Sequence, residues 1–185
     1  MRTHAIALSL CLAPLALTTA CSTYRDAPAG ETWAQEMLRE AGEARTLFRE
    51  QDPTIADFFE NSTGYAIFPK ITKGAACIGA SNGDGGVYQE GLVIGYTEMT
   101  QVNIGLQLGG QSYRQVIFFQ DQRALDRFTR GDLEFSANAS AVAVESGAAA
   151  ANDYEEGVAV FSMTRGGLMF EASIGGQDFD FEPVR

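Results

Sequence analysis

The chain has 185 residues, with 24 acidic against 13 basic side chains and a formal net charge of −11 at pH 7. So acidic a balance argues against nucleic acid as a partner, because that binding rests on Lys and Arg neutralising phosphates. It also argues against broad adhesion of the folded part to an anionic membrane, so any contact with anionic lipid must use a local basic patch.

Residues 1–20 read as a secretory signal peptide: Arg2 and His4, an apolar run from Ala5 to Leu17, then small residues up to Cys21. The apolar run is too short to span a bilayer, which takes about 20 residues. "LTTAC" resembles a bacterial lipobox, with Thr18 where leucine is usual, and Cys21 is the expected lipidation site. Several acyl chains such as palmitate anchor stably where one does not. Ser22 follows the cysteine, and the expected address is the periplasmic face of the outer membrane. Cleavage removes Arg2, His4 and Cys11. The mature chain is then more acidic still and has no histidine, and Cys77 is its one unmodified cysteine. Cys77 lies in an apolar run and reads as a small buried hydrophobe.

Residues 21–31 form a lipidated cysteine and polar tether, and 32–185 are long enough for a single domain with a sizeable core. Thr32 and Gln35 are spaced as a capping box. Trp33, Met37, Leu38, Ala41, Ala44, Leu47 and Phe48 then follow at helical spacing, predicting a helix over 33–50. That stripe packs on the domain's own sheet or lies on a membrane surface. Glu36, Glu40 and Glu43 among Arg39 and Arg45 favour packing, since membrane-surface helices are richer in cations. Pro53 starts a second short helix with Ile55, Phe58 and Phe59 on its buried side.

From Gly64 the texture changes to Ile, Val, Phe and Tyr segments punctuated by glycine. Strands are predicted at 65–69, 73–80, 85–90, 92–97, 102–109 and 113–119. A helix is predicted within 120–131, then strands at 133–137, 141–145, 157–163 and 167–174. "SNGDGG" (81–86) reads as a hairpin turn, since Asn and Gly tolerate positive φ. "SGAAAANDYEEG" (146–157) reads as a loop. The expected class is α+β: a largely antiparallel, strongly curved β-sheet with N-terminal helices and one mid-chain helix.

Chemistry is reached mostly by elimination. Without histidine there is no Ser–His–Asp or Cys–His arrangement and no imidazole-bound zinc or haem. A lone cysteine builds no thiolate metal site, and no serine precedes a lysine as in SxxK. Lys73 precedes Gly74, whereas a Walker loop needs lysine after glycine, and Gly83, Gly85 and Gly86 do not complete GxGxxG. Asn82, Asp84 and Glu90 do not match a calcium loop. Glu155 and Glu156 are adjacent in a soft loop without apolar surroundings, and read as a solvated loop rather than as an acid/base pair. No catalytic residue, metal or cofactor is expected, and the protein is expected not to be an enzyme.

Lys70 and Lys73, the chain's two lysines, stand in "FPKITKG". One reading is two solvated lysines keeping a strand end soluble. The other is a small anion site for a lipid head group, with Phe68 beside it and Tyr88 across the hairpin as apolar contacts.

"STGYAIFPKITKGAACIGASNGDGGVYQEG", "VNIGLQLGGQSYRQVIFF", "ALDRF", "LEFSANASAVAV" and "GLMFEASIGGQDFDF" occur in this order. Together they resemble the SYLF domain family over about residues 35–182. The resemblance implies a lipid-binding module without catalytic residues, bacterial members being typically secreted or lipidated. It places Lys70 and Lys73 in the family's "FPK-x-x-KG" segment, where basic residues meet lipid head groups. The chain departs from some eukaryotic relatives in lacking an SH3 or FYVE segment and in carrying little basic charge near the domain start, which puts phosphoinositide preference and actin binding in doubt. The expected function is a non-enzymatic lipid-binding lipoprotein of the cell envelope. The alternative is a structural or protein-interaction module of the envelope that uses lipid only as its anchor.

Overall fold

The computed structural model describes residues 32–74, 79–103, 111–135, 139–165 and 172–184. The signal peptide, Cys21, the tether and Cys77 lie outside these described residues.

The first helix, α1, runs Trp33–Gln51 and starts at the expected capping box: Thr32 Oγ1 accepts from Gln35 N, and Gln35 Oε1 accepts from Thr32 N. Met37, Ala41, Ala44 and Phe48 are buried on one side of it, so the stripe packs on the sheet. Replacing Thr32 by alanine removes the cap and should lower stability by about 1 kcal/mol, read as a lower urea midpoint at unchanged slope. Asp52 ends α1 and caps a single 3-10 turn, Pro53–Ile55, which leads into α2 at Ala56–Asn61.

The strands are β1 Gly64–Gly74, β2 Gly79–Gln89, β3 Leu92–Asn103, β4 Gln111–Phe119, β5 Ser140–Ala143, β6 Val158–Thr164, β7 Ala172–Ser173 and β8 Gln177–Pro183. The mid-chain helix α3 is Gln122–Thr129, capped by the Asp121 side chain. Spatial order is β7-β5-β6-β4-β1-β2-β3-β8. β5 and β6 pair in parallel and the other pairs are antiparallel, so the sheet is mixed within an α+β fold.

Helices cover both faces. α1 and α2 pack with Tyr65, Ile67, Val116, Phe118 and Phe161 on one side. On the other, α3 packs through Leu125 and Phe128 with Phe68, Ile71, Met99, Ile117 and Phe179. The second face is concave. Gln115 on β4 donates to Gln177 on β8 at 2.9 Å, although β1, β2 and β3 lie between them. Strands about 4.8 Å apart would hold those two backbones roughly 19 Å apart in a flat sheet, so the sheet bends until they meet.

Three expectations are corrected. "SNGDGG" is not a turn: it lies inside β2, paired with β1 on one side and β3 on the other. The two-residue turn comes later, at Glu90 and Gly91, with φ of 51° and 77°. Second, β1 does not break at Pro69. Phe68 pairs Gln115 and Ile71 pairs Tyr113, so three steps on β1 match two on β4, which is a bulge. A central strand tolerates proline only at such a place, because the missing N–H falls where the ladder is already interrupted. Third, 133–135 form no strand, whereas the unexpected β8 shows Gln177 and Phe179 buried between exposed Asp178 and Asp180.

The glycines of β2 answer to the bulge. A Cβ on Gly83 would stand 2.7 Å from the Lys70 carbonyl oxygen, and one on Gly85 would stand 2.7 Å from Phe68 Cδ1 and 2.8 Å from the Ile67 carbonyl oxygen. β2 is glycine-rich because β1 pushes into it.

Candidate functional site

The four residues expected to share one patch do not share one. Lys70 sits at the bulge and is exposed. Phe68 is fully buried on the concave face against Phe179, with ring centroids 5.9 Å apart, so it has no surface to offer a lipid. Tyr88 is half-buried on the opposite face, stacked on Tyr65 at 4.9 Å beside the residues of α1. Burial, helped by the neighbouring Tyr65, pushes the Tyr88 hydroxyl up to about 12. Alternation along β1 sends Ile67 to the helix face and Phe68 to the concave face, and the bulge then returns Ile71 to the concave side. Phe68 and Tyr88 are core residues of two different layers.

Lys73 has a different neighbourhood from Lys70. It is half-buried, and burial holds its pKa below the usual lysine value. Register sets it directly opposite Ser81, Ser81 opposite Gln101, and Gln101 opposite Gln177. Directly opposed residues share a sheet face, and this row lies on the concave one with Ile71, Met99 and Phe179. Ser81 is 3% exposed, and its hydroxyl has no hydrogen-bond partner among the described residues. Gln101 Nε2 donates to the Gly175 carbonyl oxygen at 2.9 Å. Gln177 and Gln115 exchange two amide hydrogen bonds, and Tyr113 also bonds to Gln177. This end of the concave face is therefore polar, although sequence reading singled out only Lys73 of the row. Assigning Ser81 to a turn gave it no face. The signal that finds it is strand alternation from Ser81 through Gly83 to Gly85.

The outer face of β2, β3 and β8 is acidic. Asp84 lies opposite Glu98, and Glu98 lies opposite Asp180. Partial burial, with the Glu98 charge second, raises the Asp84 pKa above the ordinary carboxylate value. Among the described residues no group of three or more His, Cys, Asp or Glu is arranged to hold a metal ion. Glu155 and Glu156 are exposed.

A cleft of about 170 Å³ lies along β6, on the far side of β4 from the lysines. Leu133, Phe135, Val158, Val160 and Ile174 line it, together with Arg127, whose Nε is buried without a partner.

Residues 100–181 match the family described as Ysc84, Las17-binding protein actin regulator. Over 134 residues the chain is 28% identical to Beta cell expansion factor A from Aeromonas veronii, covering 72% of this chain and 51% of that one. It thus spans about half the length of that curated relative. The family match takes in the end of β3 through β8 and stops short of β1, so it does not reach Lys70 or Lys73.

Proposed function

From the premise that this chain matches the Ysc84, or SYLF, family that its sequence resembles, we propose that it is a non-enzymatic lipid-binding protein of the cell envelope. Cys21 carries the acyl anchor at the periplasmic face of the outer membrane, and the folded domain meets phospholipid head groups. Among the described residues no helix is long and apolar enough to cross a membrane, and in this reading the anchor and the head-group contacts supply the attachment. Anchoring raises the local concentration of the domain at the leaflet, so weak contacts suffice.

The observation that carries the reading is the placement of the two lysines. In a chain of net charge −11 both fall on β1, Lys70 at the bulge and exposed, Lys73 just beyond it and half-buried. Among the described residues neither makes an ion pair. A cation near an anionic surface contributes about 1 kcal/mol, so replacing both lysines by glutamate should weaken binding to anionic liposomes at least about thirtyfold. Unchanged sedimentation of a folded double variant would remove the lysines from the contact.

A second reading is a protein-interaction module, and the acidic row Asp84–Glu98–Asp180 favours it. Like charges directly opposed across strands are destabilising unless a counter-charge arrives. A basic protein surface would supply that counter-charge. The readings part on one measurement: incubated with an envelope lipid extract and then desalted, the domain retains phospholipid by native mass spectrometry under the first and none under the second.

A further inference from the structure

The two lysines occupy different environments, and only one has the surroundings of a site. Lys70 projects from the bulge into solvent. Lys73 is half-buried on the concave face, where Ser81 stands across the ladder from it. Directly opposed residues bring their Cβ atoms to about 5 Å, so an ammonium and a hydroxyl there reach the same small ligand.

Ser81 supplies the second observation. A buried hydroxyl without a partner is costly, and folded proteins rarely leave one so unless something else satisfies it. Among the described residues the hydroxyls of Ser62, Ser81, Thr97 and Ser162 are buried without a partner, and Ser81, 3% exposed, is the one directly opposite a lysine, itself half-buried and with no carboxylate partner among those residues. A cation beside a free hydroxyl donor is complementary to an anion bearing several acceptor oxygens. Gln101 and Gln177 continue the row and keep it polar where the rest of the concave face is aliphatic and aromatic.

We infer that Lys73 and Ser81 form an anion site on the concave face that takes a phosphate or carboxylate group, and that Lys70 is not part of it. The inference rests on the lipid reading only for the source of the anion, a lipid head group. Free inorganic phosphate offers the same chemistry.

The test uses the full chain with two probes, inorganic phosphate and vesicles of phosphatidylcholine with or without phosphatidylglycerol. Variants are Lys73→Met, Ser81→Ala, Lys73→Arg and Lys70→Met, each checked for native circular dichroism. Binding to phosphatidylglycerol vesicles should fall about tenfold in Lys73→Met and about threefold in Ser81→Ala. It should stay within about twofold of the parent in Lys73→Arg, and Lys70→Met should lose no more than the roughly fivefold that a solvated surface cation contributes. If the parent ignores vesicles but binds inorganic phosphate in a Lys73-dependent way, the anion site stands and the lipid reading falls. Should the parent bind vesicles while Lys73→Met and Ser81→Ala bind equally well, the site is overturned and the lipid reading stands. Equal losses in Lys70→Met and Lys73→Met also overturn it, since that pattern means diffuse surface charge. Failure of the parent to bind either probe overturns both.

Discussion

Replacing Asp52 by alanine is expected to destabilise the domain by about 4 kcal/mol, the largest effect of any single substitution considered. Its carboxylate is fully buried and accepts four hydrogen bonds. Oδ1 accepts from Thr54 N at 3.0 Å, Thr54 Oγ1 at 2.7 Å and Gly147 N at 3.0 Å, while Oδ2 accepts from Ala149 N at 2.7 Å. Asp52 therefore ends α1 through its backbone N–H, while its side chain caps the Pro53 turn and pins the loop before β6. Thr54 extends the clamp, accepting from Ala150 N at 3.1 Å. Alanine leaves three backbone N–H groups without acceptors, the Ala149 one fully buried and those of Thr54 and Gly147 partly so. Urea unfolding measures the loss, and a change below about 1 kcal/mol would mean that water or a shifted loop satisfies those groups.

The same carboxylate sets an acid limit. Burial alone raises its pKa, but the hydrogen bonds from Ala149, Thr54 and Gly147 outweigh that, and the net value lies below the ordinary 3.8. A depressed folded pKa means that the stabilisation is present above the unfolded value and is lost as pH falls through the folded one. The stability gap between the parent and Asp52→Asn should therefore be constant from pH 7 down to about pH 5 and shrink below about pH 4. A gap that widens in acid would assign the clamp to some other charge.

Gly85→Ala is expected to cost about 3 kcal/mol, at the upper end of the range for overpacking. The new methyl would meet Phe68 Cδ1 at 2.7 Å and the Ile67 carbonyl oxygen at 2.8 Å. The Phe68 ring is fully buried with little room to turn, and the carbonyl belongs to a paired central strand. Gly83→Ala should behave alike, because its methyl would press on the Lys70 carbonyl oxygen at 2.7 Å and Ile71 Cγ1 at 2.9 Å. Gly42→Ala on α1 is the control. Nothing lies within 4 Å of its added methyl, and the change should stabilise by about 0.5–1 kcal/mol through helix propensity. Thermal unfolding of the three variants decides the matter, and tolerance at both strand positions would mean that β1 carries no rigid bulge.

Much of the local structure was legible before any fold was known. Thr32 with Gln35 announced the start of α1, Pro53 the second helical turn, and Leu125 with Phe128 the buried side of α3. Each depends on neighbours within one helical turn, so the sequence carries the whole cause. The missed β8 was legible too, since Gln177, Phe179 and Phe181 alternate with acids. The glycines of "SNGDGG" were not legible, because their cause lies on another strand. The identical string is a good turn when its neighbours are solvent and a good strand when a bulge presses on it.

The composition limits, the absence of histidine after residue 4, the confinement of lysine to one seven-residue stretch, and the helices all follow from the order of the residues. Those properties are local or additive and need no partner. Which residues share a face depends instead on how the strands pair. The bulge at Pro69 and Lys70 shifts β1 by one place against both neighbours, and side-chain period in a strand is two. One extra residue is therefore enough to leave Lys70 in solvent, return Ile71 to the face that Phe68 already occupies, and set Lys73 across from a buried serine.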